Sequence, residues 1–184
     1  MINKVCITII IPFYNSKRYV AKCLKNLKSL KFSQEFEVLM IDDGSIDGGS
    51  TLIKNYNLKN LKVFSLKKNY GPSVARNYGI KKAKGEFVFF LDIDDNVENG
   101  ILSSLYEKAK KNNLDFVFCD SKWIHKSKNL KKNIFSFNKN KILKNSEIKA
   151  EMLKRISNPR FAGGILGAKG KLINLDLIKK NKIF

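Results

Sequence analysis

Short apolar, β-branched runs alternate with helical patterns along roughly the first hundred residues of the 184-residue chain. Strands are predicted at Val5 to Ile11, Phe36 to Ile41 and Leu61 to Leu66, and the apolar run Phe87 to Leu91 predicts a fourth strand covered on both faces. Segments with one apolar stripe at helical spacing fill the intervals. This order is typical of βαβ units, so the sequence predicts an α/β fold with a mostly parallel central sheet and helices on both faces.

Single residues predict the ends and faces of these elements. Pro12 has no amide proton to donate to a ladder and is expected to end the first strand, while Ser16 is expected to be the N-cap of the next helix. Asp47 or Ser50 is expected to cap the short second helix. The third helix is predicted with Val74 and Tyr78 turned inward, and with Ala75 as a further candidate for the same face.

Length and composition favour one domain spanning residues 1–184, because 184 residues with 43% hydrophobic content can bury one sizeable core. The polar, basic stretch Trp123 to Asn145 has no clear period and is interpreted as an extended or mobile segment. No apolar run is long enough to span a bilayer. Because the three cysteines Cys6, Cys23 and Cys119 are odd in number and widely spaced, they are interpreted as small core hydrophobes of a reduced, cytoplasmic protein.

The formal net charge of +20 predicts attraction to phosphates, nucleic acid or an anionic membrane surface. Most of this charge is lysine scattered among asparagine and isoleucine, a texture that biased genomic base composition also produces. Arginine is scarce and no nucleic-acid motif is visible, so no specific nucleic-acid partner is expected. A non-catalytic basic module that binds nucleic acid or an anionic membrane remains the alternative to an enzyme.

Polar residues follow three of the four leading strands, in the segments Pro12 to Asn15, Asp42-Asp43 and Asp92-Ile93-Asp94-Asp95. In open α/β sheets, ligands bind outside the carboxyl ends of the strands, where loop amides and helix N-termini converge. Carboxylates gathered at one edge repel one another unless cations or hydrogen-bond donors answer them. Mg²⁺ or Mn²⁺, held jointly by aspartates and the phosphates of a nucleotide, would satisfy this site, and a solvated acidic turn is the alternative.

Arg76 stands out because the chain otherwise uses lysine. A guanidinium offers bidentate geometry to a phosphate or a base edge that lysine cannot copy, although a surface arginine paired with a nearby carboxylate remains the alternative. Tyr14 could stack on a base, but aromatic residues after a strand are more often packing residues. The lone histidine, His125, is interpreted as solvated and inert.

Four motifs in chain order resemble family 2 glycosyltransferases: Thr8 to Asn15, Val38 to Asp47, Asn69 to Asn77 and Phe90 to Asp95. The resemblance resumes faintly at Gly170 to Ile178, where Gly170 stands in place of the usual asparagine. It implies a Rossmann-like fold of the GT-A type, with residues 1–100 as the nucleotide-sugar-binding half and residues 101–184 as an incomplete acceptor-side half. A sugar nucleotidyltransferase, the nearest rival, would usually need a glycine-rich loop after the first strand.

The resemblance also implies roles for individual residues. Residues that would hold the nucleotide sugar are Pro12, Tyr14, Asn15, one or both of Asp42 and Asp43, Arg76, Asp92 and the Ile93 backbone. In the Asp-x-Asp motif, Asp94 would be the direct ligand of Mg²⁺ or Mn²⁺, with Asp92 as its partner and Asp95 as an adjacent alternative. The metal would neutralise charge on the departing diphosphate.

The implied activity is inverting transfer of a sugar from a nucleoside diphosphate, with a lean to uridine, onto a glycan or lipid-linked acceptor in surface polysaccharide or glycolipid assembly. The positive charge would suit a peripheral enzyme at the inner face of the membrane. The acidic general base is expected beyond Phe184, so a C-terminally truncated chain that binds donor but transfers poorly is predicted. Asp120 is the least unsuitable substitute for that base.

Overall fold

The computed structural model of the chain describes residues 4–119, 122–125, 130–133, 142, 147 and 170–182. The chain forms two compact units, the larger from Met1–Phe118 with Lys171–Phe184 and the smaller from Cys119–Gly170. Among the described residues, the smaller unit has a two-stranded antiparallel sheet of β6 (Lys122–His125) and β7 (Leu130–Asn133). Part of the segment expected to be extended therefore forms a ladder. The division at residue 100 into donor and acceptor halves stays a prediction.

The larger unit is built on six strands: β1 (Ile7–Phe13), β2 (Phe36–Asp42), β3 (Leu61–Ser65), β4 (Phe87–Phe90), β5 (Phe116–Phe118) and β8 (Lys171–Asn174). Their order in the sheet is β3-β2-β1-β4-β8-β5. The first four strands run parallel, and β8 runs antiparallel to both of its neighbours. The prediction of an α/β fold with a mostly parallel sheet is confirmed.

Helices connect the strands, and each of them buries apolar residues. They are α1 (Lys17–Ser29), α2 (Gly49–Lys54), α3 (Pro72–Lys82), α4 (Ile101–Lys111) and α5 (Leu175–Lys180). In α4 the buried residues are Leu102, Leu105 and Ala109, which lie three and four positions apart on one face. No helix among the described residues is long and apolar enough to cross a membrane.

The prediction that Pro12 ends the first strand is wrong. Strand β1 continues to Phe13, and Pro12 pairs in register with Ile41 of β2. Pairing of β1 with β4 stops at Ile10, so Pro12 lies where the strand has one neighbour. A missing amide proton is tolerated at such a position, as it is on an edge strand.

The prediction of an inward Val74 is also wrong, because its side chain is 45% exposed. Helix α3 instead approaches β1 through Ala75, which is fully buried, and Gly79. A Cβ atom at Gly79 would lie 2.6 Å from Cγ2 of Ile10, so the closest approach needs the absence of a side chain. Small residues four apart lie on the packed face, so Ala75 is inward as predicted, Tyr78 is half-buried and only Val74 points away.

Cys6 and Cys23 are buried among apolar residues, as expected of core hydrophobes, and Cys119 is half-buried. Burial raises the pKa of the Cys23 thiol to about 12, against the opposing effect of the Lys22 ammonium. The thiolate needed for redox or metal chemistry is therefore disfavoured at Cys23.

Candidate functional site

A cavity of about 380 Å³ opens at the carboxyl edge of the parallel strands. It brings together most of the predicted site residues, namely Pro12, Tyr14, Asp43, Arg76, Asp92, Ile93 and Asp94. Asn15, Asp42 and Asp95 do not line it. Four further residues that the sequence analysis did not select complete the lining: Phe13, Ser16, Asn69 and Pro72. Asn69 and Pro72 belong to the third motif, which was a signal that could have identified them.

Asn15 joins two loops of the site. Its backbone amide donates to Ser45 Oγ over 2.9 Å, and its side-chain Oδ1 accepts from the Ile46 amide over 3.0 Å. Its φ of 44° lies in the left-handed region, which asparagine tolerates better than most residues. Asn15 therefore fixes the loop that carries Tyr14 against the loop that follows β2.

The N-terminus of α1 is capped by a residue thirty positions further along the chain. The Lys17 amide donates to Asp47 Oδ2 over 2.7 Å, and the Gly49 amide donates to Oδ1 of the same carboxylate over 2.9 Å. Ser16 occupies the N-cap position but makes no side-chain cap bond, since its hydroxyl donates to Tyr14 O. The expected Ser16 cap is thus wrong, because the carboxylate satisfies the orphan amide instead.

Asp47 should make the stability of the protein depend on pH. Partial burial alone would raise the pKa of its carboxyl, but hydrogen bonds from the Lys17, Gly49 and Asp47 amides, with the Lys17 ammonium, lower that pKa below 3.8. A lowered folded-state pKa contributes stability above the ordinary value, and this contribution is lost as the pH falls through the folded-state pKa.

Asp47→Asn is accordingly expected to lower the free energy of unfolding at pH 7, and the deficit should shrink below pH 3.8. Denaturant unfolding across this range measures the difference, with exposed Asp115→Asn as the matched control. A deficit that is constant with pH would contradict the role of the Asp47 charge.

Asp43 is 2% exposed and is oriented by two backbone amides. Tyr70 N donates to its Oδ1 over 2.9 Å, and Gly71 N donates to its Oδ2 over 2.7 Å. Gly44 allows the backbone at Lys68 to lie close to the turn after β2. Its φ is 78°, and a Cβ atom there would lie 2.5 Å from the Lys68 carbonyl carbon. The Asp43 carboxylate is thereby held at the cavity wall with its remaining lone pairs available.

Asp42 is equally buried but serves the turn that follows β2. Its Oδ1 accepts from the Ser45 amide over 2.8 Å, and its Oδ2 accepts from Ser65 Oγ over 3.4 Å. Of the two adjacent carboxylates, Asp43 is therefore the one that reaches the cavity.

Arg76 pairs with the first aspartate of the Asp-x-Asp motif. Its Nη2 donates to Asp92 Oδ1 over 2.7 Å, and both side chains also line the cavity. Nε of Arg76 is buried without a hydrogen-bond partner. The guanidinium thus neutralises one carboxylate of the site while its remaining donors stay near the cavity.

Asp94 is exposed at the cavity, and no hydrogen bond or ion pair to its carboxylate forms within the described part of the chain. Across the same residues, no group of three or more His, Cys, Asp or Glu side chains is placed to hold a metal unaided. Asp94 and Asp92 on one cavity fit a divalent cation that takes its other oxygen ligands from phosphates and water, as Mg²⁺ usually does.

The motifs behind this geometry match a known family. The family described as Glycosyl transferase family 2 matches residues 8–164. The chain belongs to glycosyl transferase family 2. The prediction of a family 2 glycosyltransferase, made from four motifs, is confirmed.

Relatives of the chain include bacterial glycosyltransferases. It is 36% identical over 183 residues to the poly(ribitol-phosphate) beta-N-acetylglucosaminyltransferase TarP of Staphylococcus aureus, covering 96% of this chain and 51% of TarP. It is 35% identical over 127 residues to the cholesterol galactosyltransferase of Borreliella burgdorferi, covering 68% of this chain and 35% of that protein. The chain thus spans about half the length of TarP and about a third of the length of the galactosyltransferase.

The fold is similar to the crystal structure of residues 1–349 of S. aureus TarS in complex with UDP-GlcNAc. The TM-score is 0.72 at 28% identity, and the match covers 98% of this chain and 48% of that chain. This likeness over nearly the whole length confirms the Rossmann-like fold of the GT-A type.

Proposed function

We propose that the cavity binds a UDP-sugar and that the chain supplies the donor-binding part of a transferase acting in surface polymer or glycolipid synthesis. The observation that carries this proposal is the convergence of Asp43, Arg76 and Asp94 on one cavity from three separate motifs. The likeness to a structure that contains UDP-GlcNAc supports the uridine nucleotide and the sugar.

Asp43 is proposed to recognise the base or ribose. Its carboxylate is fixed by the Tyr70 and Gly71 amides, so it can accept a hydrogen bond from a ligand N–H or O–H without reorganising. Tyr14 and Pro12 flank the same wall, where the 43% exposed Tyr14 ring is available to stack on a base. Asn15 and Asp42 would contribute by fixing these loops, and the Ile93 backbone by lying against the ribose.

Asp94, assisted by Asp92, is proposed to hold Mg²⁺ or Mn²⁺ at the diphosphate. A bound cation of this kind offsets negative charge on a phosphate leaving group. Arg76 keeps Asp92 in place through the 2.7 Å ion pair and offers further N–H donors to the phosphates or base.

Sugar transfer is proposed to invert the anomeric centre by direct displacement, with an acidic general base from a motif that follows α5. Asp120, considered as a substitute for that base, lies outside the described residues. The acceptor is proposed to be a glycan or lipid-linked molecule. The net charge of +20 suits an acceptor that bears phosphate, or one that is met at an anionic membrane surface.

Calorimetric titration of residues 1–184 with UDP, in Mn²⁺ and in EDTA, tests the donor site. We expect saturable one-site binding that strengthens with Mn²⁺ and is weaker for inorganic polyphosphate. An affinity that is the same with and without Mn²⁺, falls steeply with salt and is equal for any polyanion would instead support the non-catalytic basic module.

A further inference from the structure

Asn26 makes two hydrogen bonds that join α1 to the loop after β4. Its Nδ2 donates to the Val97 carbonyl and its Oδ1 accepts from the Val97 amide, both over 2.9 Å. Asn26 is half-buried, and Val97 is 6% exposed. A side-chain amide here satisfies both backbone groups of one residue, as a neighbouring strand would.

The loop between β4 and α4 carries the Asp-x-Asp motif and has no helix or strand of its own. It is fixed upstream by the Arg76–Asp92 ion pair at 2.7 Å. It is fixed downstream at Val97 by Asn26, and again at Asn99, whose Oδ1 accepts from the Lys31 amide over 3.2 Å. Asp94 lies between the upstream and downstream anchors.

Anchors on both sides restrict the conformations of the short segment that presents Asp94. Without the Asn26 amide, the Val97 N–H and C=O would be buried and unpaired, and such groups are costly enough that the loop would move to solvate them. The position of the Asp94 carboxylate would then vary. Partners that orient a metal ligand from outside typically affect metal affinity by about 10- to 100-fold.

We propose that Asn26 is a positioning residue, which acts through Val97 to hold Asp94 in the geometry for metal-assisted nucleotide binding. This inference rests on the proposed function, since it assigns Asn26 to the metal-dependent part of that binding. Asn26 itself does not line the cavity.

The test compares wild-type protein with Asn26→Leu, which removes both hydrogen bonds, and Asn26→Asp, which keeps the acceptor but places a carboxylate against the Val97 carbonyl. UDP affinity is measured in Mn²⁺ and in EDTA, and the ratio gives the gain from the metal. We expect this ratio to be about tenfold smaller in both variants than in wild type. Their UDP affinity in EDTA should be unchanged.

Asn60→Leu is the matched control, because the half-buried Asn60 amide donates to the Phe36 carbonyl over 3.2 Å, outside the cavity. It should lower Tm as the Asn26 variants do and keep the full gain from Mn²⁺. Equal gains in wild type and the Asn26 variants, or equal losses in Mn²⁺ and EDTA, would overturn the proposal. A wild-type protein that binds UDP equally with and without Mn²⁺ would instead overturn the metal part of the proposed function.

Hydrogen exchange of the Val97 amide is a second test of the Asn26–Val97 hydrogen bonds, and it needs neither nucleotide nor metal. In wild type this amide should be protected, and in Asn26→Asp the amides of residues 95–99 should exchange faster while those of β4 do not. An unprotected Val97 amide in wild type would overturn the anchor even if the Asn26 variants fail to fold.

Discussion

Asp94→Asn is expected to abolish the strengthening of UDP binding by Mn²⁺ and to leave binding in EDTA close to wild type. The substitution preserves shape and removes the charge of an exposed carboxylate at the cavity. Since loss of an outer partner of a metal ligand already costs about 10- to 100-fold in metal affinity, loss of the ligand itself should cost more. Calorimetry at several Mn²⁺ concentrations measures this change.

Asp95→Asn is the matched control, as it makes the same change one residue further along, at a side chain that does not line the cavity. It should keep the response to Mn²⁺. If Mn²⁺ strengthened UDP binding by Asp94→Asn but not by Asp95→Asn, Asp95 would be the metal ligand instead. Normal responses in both variants would remove the metal from this motif.

Local pattern predicted which segments form the leading strands, because these signals lie within single elements. The apolar run at Phe87 to Leu91 identified a buried strand, and the observed Phe87–Phe90 is buried at every residue. Parallel strands bring their carboxyl ends to one edge, so the strand assignments implied that the segments Pro12 to Asn15, Asp42-Asp43 and Asp92 to Asp95 would meet. Residues from all three segments line the cavity.

Contacts between distant elements could not be predicted in this way. Asp47 caps α1 from thirty residues away, and Asn26 anchors Val97 across 71 residues. Asp and Asn side chains commonly bond to backbone groups that are close in sequence, so the sequence contained no sign of these long-range bonds. Sequence reasoning assigned the cap of α1 to the adjacent Ser16 instead. The buried Glu37, which accepts from Thr8 Oγ1 and the Lys84 amide, likewise gave no signal within its apolar strand.

Most carboxylates at the carboxyl edge of the sheet have partners within the protein, which reduces the number that would need a cation. The sequence suggested that several carboxylates at one edge must be answered by cations. Backbone amides and a hydroxyl donate hydrogen bonds to Asp42 and Asp43, and the Arg76 guanidinium forms an ion pair with Asp92. Among the carboxylates that line the cavity, Asp94 is therefore the one that the proposed cation would neutralise, with a diphosphate supplying further oxygen ligands.

Arg76→Lys is expected to weaken UDP binding by about 10- to 100-fold, the cost of losing one or more charge-assisted hydrogen bonds. Lysine keeps the charge but not the planar fork that can hold Asp92 and present further donors at once. Because Nε of Arg76 is buried without a hydrogen-bond partner, loss of that atom removes no hydrogen bond, and any fall in Tm should come from the altered ion pair with Asp92. Calorimetry and thermal unfolding of the same preparation separate the two effects.

Arg18→Lys provides the comparison, since it makes the same substitution at an exposed residue that lies over the Tyr19 ring and does not line the cavity. It should leave UDP affinity unchanged. If Arg76→Lys bound UDP as tightly as Arg18→Lys, the guanidinium would serve only its ion pair with Asp92. Weaker UDP binding by Arg76→Lys in both Mn²⁺ and EDTA would place Arg76 in direct contact with the nucleotide, because loss of Asp92 support alone should weaken only the binding that depends on the metal.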